Sequence, residues 1–494
     1  MQPLDSDLQK NVEWLQECFL PSADFYCKPV CIGGIQGVLC MFEGLSGLEK
    51  LWQMAAGAWS RLPENWSNAD ELLDYLLQDT VIPVDPSPVT DKATLAGMLC
   101  SGCTALMLQG SDRALTVSTQ QQLGRSVAEP TGEGNLHGAH EGFVEHLRTN
   151  ISMVRRLIRA PGLCCQIMPM GRSTGTEVAL LYHRDKCPPK LLRTLQSRLK
   201  QTDMDMILDG GYLVPFLVGG PFSLFASVGF TEKPDTAVAK LCEGKVIILV
   251  GGSPFAVIFP YFFAEHFQTM DDYAQRPYFT CFIRLLRYAA FGLSVLLPGM
   301  FLAVADFTPE LLPGTLLYQI ASAQATTPFS LFCETFLVNL LLEIIREAGL
   351  RLPKSVGHAV SLVSALIVGD AAVQIGLLGT PVLVACALSA LCSYVVPALY
   401  EQGIILRLSF ILTGGLMGPV GIALLSCFCL ADLCRLTQLG LPYLAPFLPG
   451  SPGAWQDGFL RTSWRKLTGK RPFTVRDYFT QKPFRRGADD TTEV

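Results

Sequence analysis

Residues 281–304, CFIRLLRYAAFGLSVLLPGMFLAV, decide how the chain is read. A helix needs about 20 consecutive apolar residues to cross the hydrocarbon core of a bilayer, and this run is long enough. Arg284 and Arg287 sit one turn apart near its start, with Pro298 and Gly299 deeper in. Further apolar stretches follow at 329–345, 356–378, 381–399 and 404–433. Gly414, Gly415, Gly418, Pro419 and Gly421 divide the last, which predicts two shorter helices and a bend. The residues up to about 240 have an ordinary polar composition. The contrast predicts an integral membrane protein with a large soluble part, and puts ion movement or signalling across a bilayer first among its possible functions.

Charged residues within the apolar half sharpen that expectation. Glu334 and Glu343 lie in the 329–345 stretch, Arg346 and Glu347 follow at its end, and His358 and Asp370 fall in the next one. An ionised side chain in hydrocarbon costs several kcal/mol, so these groups must face protein, water or a counter-ion. Glu343 and Glu347 are i and i+4 with Arg346 beside them, a spacing that suits either a conduit lining or an interhelical ion pair. Asp370, in VGDAAVQ, also suits a helix break. Ser364, Ala365, Ala371, Ala372, Ala385, Ala387 and Ala390 let backbones approach closely, which favours a packed bundle or an oligomer.

The fold class expected is mixed: a two-part α/β cytoplasmic N-terminal region, then an α-helical polytopic membrane domain with re-entrant or broken helices. The boundaries read as 1–128, 129–240 and 241–455, followed by a basic tail at 456–494. In the first part, NADELLDYLL (68–77) opens a helix on a cap and an acidic first turn. Residues 104–108 and 114–117 read as a strand pair. EPTGEGNLHG (129–138) is a flexible connection to the amphipathic helix 142–160, whose Arg148, Arg155 and Arg156 predict either a solvated face paired with Glu141 or Glu145, or a contact with a partner subunit or anionic headgroups. Residues 165–170 and 176–182 read as an antiparallel pair and 246–250 as a strand, with 255–267 an interfacial or re-entrant element.

Several functions are not expected. The formal charge of -5 gives no reason to expect nucleic-acid binding. The 17 cysteines lack zinc-site spacing and read as reduced small hydrophobes, and no cofactor is expected. Gly219-Gly220 runs into Pro221, and Gly251-Gly252-Ser253-Pro254 has no following Lys-Ser/Thr, so neither is a phosphate loop. Without a nucleophile, base and orienter at recognisable spacing, enzymatic chemistry is not expected. The first 20 residues lack a signal-peptide core, which places the soluble part in the cytoplasm. Basic residues from Arg461 to Arg486 place the C-terminus there too, so the number of full crossings should be even.

The junction and membrane residues carry a resemblance. Thr231-Glu232-Lys233-Pro234-Asp235, Glu243-Gly244-Lys245-Val246, Gly252-Ser253-Pro254-Phe255, Arg284-Leu285-Leu286-Arg287-Tyr288, the run from Arg346 to Pro353, and Pro442-Tyr443-Leu444 look like the signatures of the GerA spore germination family, specifically the A subunit of nutrient germinant receptors. Glu141-Gly142-Phe143, the run Leu147-Arg148-Thr149-Asn150, and Arg155-Arg156 are similar to it as well, so the likeness covers roughly 129–450. The chain departs from the family at Arg155-Arg156-Leu157, where an Arg-rich triplet is common, and at Gly251, where an Asp is common. A related spore-membrane protein outside the receptors shares the fold, but Phe307 to Leu316 and Arg346 to Pro353 look closer to the receptor type.

The resemblance implies a multi-pass protein of the spore inner membrane. It implies work with a transporter-like B subunit and a lipoprotein C subunit, and a homo-oligomeric ring that releases monovalent cations. Glu334, Glu343, Arg346, Glu347 and Asp370 are then candidates for the ion path or its gating. Arg148, Asn150, Arg155, Arg156, Glu232, Pro234, Asp235, Gly252, Ser253, Pro254, Arg284 and Arg287 are candidates for junction or partner contacts. A non-conducting scaffold and a secondary transporter are the competing readings.

Overall fold

The structure, a computed structural model, describes residues 2–47, 66, 68–78, 86–120, 133, 139–218, 224–225, 228–351, 367–448, 457–458, 461–463 and 475. The chain divides into two compact units, one of residues 1–221, 228–261 and 470–494, the other of 222–227 and 262–469.

The first unit holds two five-stranded antiparallel sheets. Helix α1 (Leu8–Phe19) starts at Asp7, whose carboxylate accepts from the Gln9 amide at 3.1 Å. Strands β1 (Phe25–Ile32) and β2 (Ile35–Phe42) form a hairpin, followed by α2 (Ala69–Gln78), β3 (Pro86–Val89), α3 (Lys92–Cys100), β4 (Thr104–Leu108) and β5 (Ala114–Val117). The sheet order is β1-β2-β4-β5-β3. Strands β4 and β5 are buried at every position because helices cover both faces. Alternation sends Ala105 and Met107 towards α1 and α3, and Leu106 and Leu108 towards Leu72, Leu73 and Leu76 of α2.

The second sheet repeats the plan. Helix α4 (Leu147–Leu157) leads to β6 (Leu163–Met170), β7 (Thr176–His183), α5 (Pro189–Lys200), β8 (Gly229–Thr231), α6 (Pro234–Cys242), β9 (Val246–Val250) and β10 (Ala256–Phe259), in the order β6-β7-β9-β10-β8. Ile151 and Val154 of α4 and Ala237 and Leu241 of α6 pack on Cys165, Ala179, Leu181, Ile247 and Leu249. The sequence boundary at 240 falls inside α6, and two strands of the sheet lie beyond it. Ala256–Phe259 is therefore a buried strand, not part of an interfacial element. Its four apolar residues pair with β9 across the Gly251–Phe255 turn, so their backbone bonds are met by the sheet.

The second unit is helical. It contains α7 (Pro277–Phe307), α8 (Gly314–Thr326), α9 (Leu331–Arg351), α10 (Thr380–Ser393) and α11 (Tyr400–Arg435). Among the described residues two helical stretches, Pro277–Phe307 and Pro397–Arg435, are long and apolar enough to cross a membrane, and α8 with α9, bent by 83° at their break, would make a third by the same test. Helix α10 has 14 residues, about 21 Å, which is short of a span. Residues 356–366 of the 356–378 stretch, including His358, lie outside the described residues, as does most of the basic tail. The 404–433 run is interrupted as its glycines suggest: Gly418 leaves helical geometry at φ 60° and ψ −146°, just before Pro419. Phe282, Leu285, Leu391, Leu416 and Phe428 stand exposed on the outer faces of these helices, as on a surface made for lipid or other apolar helices.

Candidate functional site

Charges and amides lie inside the helical unit, strung along α9. Near its start Glu334 is 1% exposed, and its Oε1 accepts the Gly379 amide. Gly379 is the N-cap of α10 and has no side chain to cap with, so the carboxylate serves the electropositive helix end in its place. One turn further, Asn339 donates to Thr335 O at 2.9 Å and to Cys386 Sγ at 3.1 Å, and its Oδ1 has no hydrogen-bond partner among the described residues. At the next turn Glu343 meets Arg407 of α11 in an ion pair, and the Tyr400 hydroxyl donates to its other oxygen at 2.5 Å. Arg407 also donates to Ser389 at 3.4 Å, and Ser389 donates to Ser294 O at 2.7 Å, which ties α10 and α11 to α7. Arg346 lies over the Tyr400 ring at 3.2 Å and reaches Ser393 at 3.3 Å.

Sequence reasoning listed three of these four charged groups and missed the decisive one. Arg407, 3% exposed, belonged to a run read only for its glycines. A carboxylate inside an apolar helix needs a donor or a cation, and Arg407 was a cation in the 404–433 stretch. Glu347 and Asp370 do not join the thread. Glu347 is exposed and pairs with Arg351 at 2.6 Å on its own helix, and Asp370 is exposed in a π-turn at 367–371 with Gln374 at 2.5 Å.

A second cluster surrounds the start of α7. Arg284, wholly buried, donates through Nε to Asp272 at 2.8 Å and through Nη1 to Asp457 at 3.1 Å. Arg287 grips both oxygens of the same Asp272 at 2.8 and 2.9 Å, and also the Phe267 carbonyl at 2.9 Å. The two arginines flagged in the sequence thus share one carboxylate, itself 1% exposed, that sequence reasoning did not single out.

In the first unit the flagged basic residues differ in role. Arg155 contradicts the solvated-face expectation: it is 2% exposed, holding Asp24 through two nitrogens, one at 2.7 Å, with Ser22 at 2.9 Å and the Leu163 carbonyl at 3.3 Å. It therefore joins the two sheets, since Asp24 precedes β1 and Leu163 opens β6. Arg148 spans Glu43 at 3.2 Å and Glu177 at 3.1 Å, and Arg156 pairs with Glu141 as the solvated reading has it. Asn150 is fully buried; its amide clamps both backbone groups of Val144, at 2.5 and 2.8 Å.

The remaining flagged positions shape turns. The Glu232 carbonyl takes the Phe143 amide at 2.7 Å, Pro234 opens α6, and Asp235 lies 3.6 Å from buried Lys233. Gly252, at φ 91°, and Pro254 bracket Ser253, whose hydroxyl donates to Asp209 and accepts from Phe255 N at 3.2 Å. Burial raises the Glu133 carboxyl to about 7, against the hydrogen bond from Thr231 at 2.8 Å; nearby Glu232 and Asp235 push it the same way and Lys233 opposes them. Glu133 was not anticipated, because its neighbours in sequence gave no sign that it would be buried.

Two α/β halves and an apolar helical unit with charges paired in its interior define a class: a protein with a large polar part and helices of membrane-spanning length and composition. The chain belongs to the Bacillus/Clostridium GerA spore germination protein family, which matches residues 13–473. It is 36% identical over 398 residues to spore germination protein KA of Bacillus subtilis (strain 168), covering 80% of this chain and 72% of that one. It is 29% identical over 477 residues to the Uncharacterized membrane protein YfkQ of the same organism, covering 96% and 92%. The crystal structure of the N-terminal domain of the A subunit of the Bacillus megaterium spore germinant receptor GerK3 aligns at 28% identity and a TM-score of 0.42, over 53% of this chain and 98% of that one.

Proposed function

We propose that this chain is the A-type subunit of a nutrient-responsive germinant receptor. In this reading it sits in the spore inner membrane with both termini cytoplasmic and works with a B subunit and a lipoprotein C subunit. Copies of it form a ring that releases monovalent cations. The observation that carries the reading is the line of polar groups from Glu334 through Asn339 and Glu343 to Arg407 in the interior of an otherwise apolar helical unit. Ionisable groups are kept in such surroundings where charge is handled. Exposed Glu347 and Asp370, each with a partner on the surface, are the groups placed to meet ions, whereas Glu334, Glu343 and Arg346 hold the helices around the path. Arg148 and Arg156, partly exposed, are the best placed of the flagged basic residues for partner contact.

One observation favours the scaffold reading. Glu343 is already neutralised within a single chain by Arg407 and Tyr400, as a structural ion pair would be. Cation flux through liposomes holding this chain with its B and C partners separates the two. Flux that appears with nutrient and falls in Glu347→Gln or Asp370→Asn supports conduction. An assembled complex that stays tight under an activating nutrient supports the scaffold.

A further inference from the structure

The edge strand β1 sets two thiols against each other. Cys27 and Cys40 are directly opposite in the antiparallel register of β1 and β2, with Sγ atoms 3.0 Å apart. Cross-strand partners hold their Cα atoms about 4.5–5.5 Å apart, inside the range of about 4.4–6.8 Å that a disulfide requires, so a bond needs side-chain rotation and no backbone movement. The two thiols are not equivalent. Cys40 is fully buried, while Cys27 is partly open on the edge strand. The hydrogen bond between them holds Cys27 below the ordinary thiol value and pushes Cys40 well above it. Cys31 is exposed on the same strand but lies opposite Gln36, about 13 Å along, out of reach of Cys40.

We propose that Cys27 and Cys40 form a thiol–disulfide exchange site that accepts small-molecule disulfides and closes a bond across the β1–β2 hairpin. The Cys27 thiolate attacks one sulfur of the small disulfide, forming a mixed disulfide and expelling one small thiolate. The Cys40 thiolate then attacks the Cys27 sulfur, breaks the mixed bond and expels the second. The two protons from the cysteines end on the two departing thiols: the small disulfide is reduced and the protein oxidised. The order follows from access and acidity, since an attacking thiol must meet the reagent as thiolate. The bond staples the strand that begins beside Asp24, one partner of the ion pair joining the two sheets.

The test treats the full-length chain in detergent with oxidised glutathione, alkylates the remaining thiols and maps peptides after chymotrypsin. The wild type and Cys31→Ser are expected to yield a peptide pair joining Cys27 to Cys40, reversed by dithiothreitol. Cys27→Ser should yield none, and Cys40→Ser should trap glutathione on Cys27. Because Cys40 is in the core, the wild-type map and the Cys27→Ser control stand without the Cys40 variant. Three results would each overturn the proposal: a bond from Cys27 to Cys31 or to a second chain, glutathione persisting on Cys27 in the wild type, or both thiols staying alkylatable while exposed Cys31 and Cys242 carry glutathione.

Discussion

Arg155 and Asp24 are each 2% exposed on their side chains, so their attraction acts with little water to weaken it. Taking both charges out of water is costly, and the pair repays that only because Ser22 and the Leu163 carbonyl meet the guanidinium while the Phe42 ring lies 4.3 Å from it. Removing one partner strands the other. Asp24→Ala is expected to destabilise the first unit by about 3–5 kcal/mol, read as a lower denaturation midpoint. Asp24→Leu with Arg155→Met should recover most of that loss, because it removes both charges and keeps the volume. A double variant as unstable as the single one would show that the contact holds the sheets by something other than charge pairing. The exposed Arg156–Glu141 pair, by contrast, should be worth under about 1 kcal/mol.

At the scale of elements, α7 and α11 pack at a contact only glycine permits. A Cβ on Gly299 would stand 2.5 Å from the Phe410 carbonyl, and one on Gly414 would stand 2.6 Å from that of Gly299. The helices therefore meet backbone to backbone, as small residues allow in apolar surroundings where water drives nothing together. Gly418 serves the bend in α11: its φ and ψ are closed to other residues, and a Cβ there would stand 2.6 Å from the Phe307 ring. Gly418→Ala is predicted to cost about 1–3 kcal/mol and to straighten or misplace the second half of the helix. Thermal unfolding in detergent measures the cost, and amide exchange at 419–425 shows where it falls. Unchanged exchange with unchanged stability would refute the assigned role of the bend.

For the molecule as a whole, Glu133 makes stability depend on pH. Its carboxyl is raised from an ordinary value of 4.5 to about 7, so the folded protein holds a proton that the unfolded chain releases. The contribution is fully present below about pH 4.5 and is lost as pH rises through about 7; it amounts to about 3 kcal/mol. Wild-type protein should therefore melt at a lower temperature at pH 8 than at pH 6, and Glu133→Gln should narrow that difference. A variant with the wild-type pH profile would assign the dependence to another group.

Much of the architecture was legible from residue order alone. Apolar runs of spanning length, the glycine-proline break near 418 and the alternating strands of the first unit are local patterns, carried by neighbours two to four positions apart. The motifs from Thr231 to Leu444 likewise placed the chain in its family. Pairing was not legible. Asp24 with Arg155, Glu343 with Arg407 and Asp272 with both Arg284 and Arg287 join residues 131, 64, 12 and 15 positions apart. A charge in a sequence looks the same whether it ends in water or against its partner. Burial decides which, and burial depends on how distant segments fold together, so tertiary structure alone turned Arg155 from a surface charge into the bolt between two sheets.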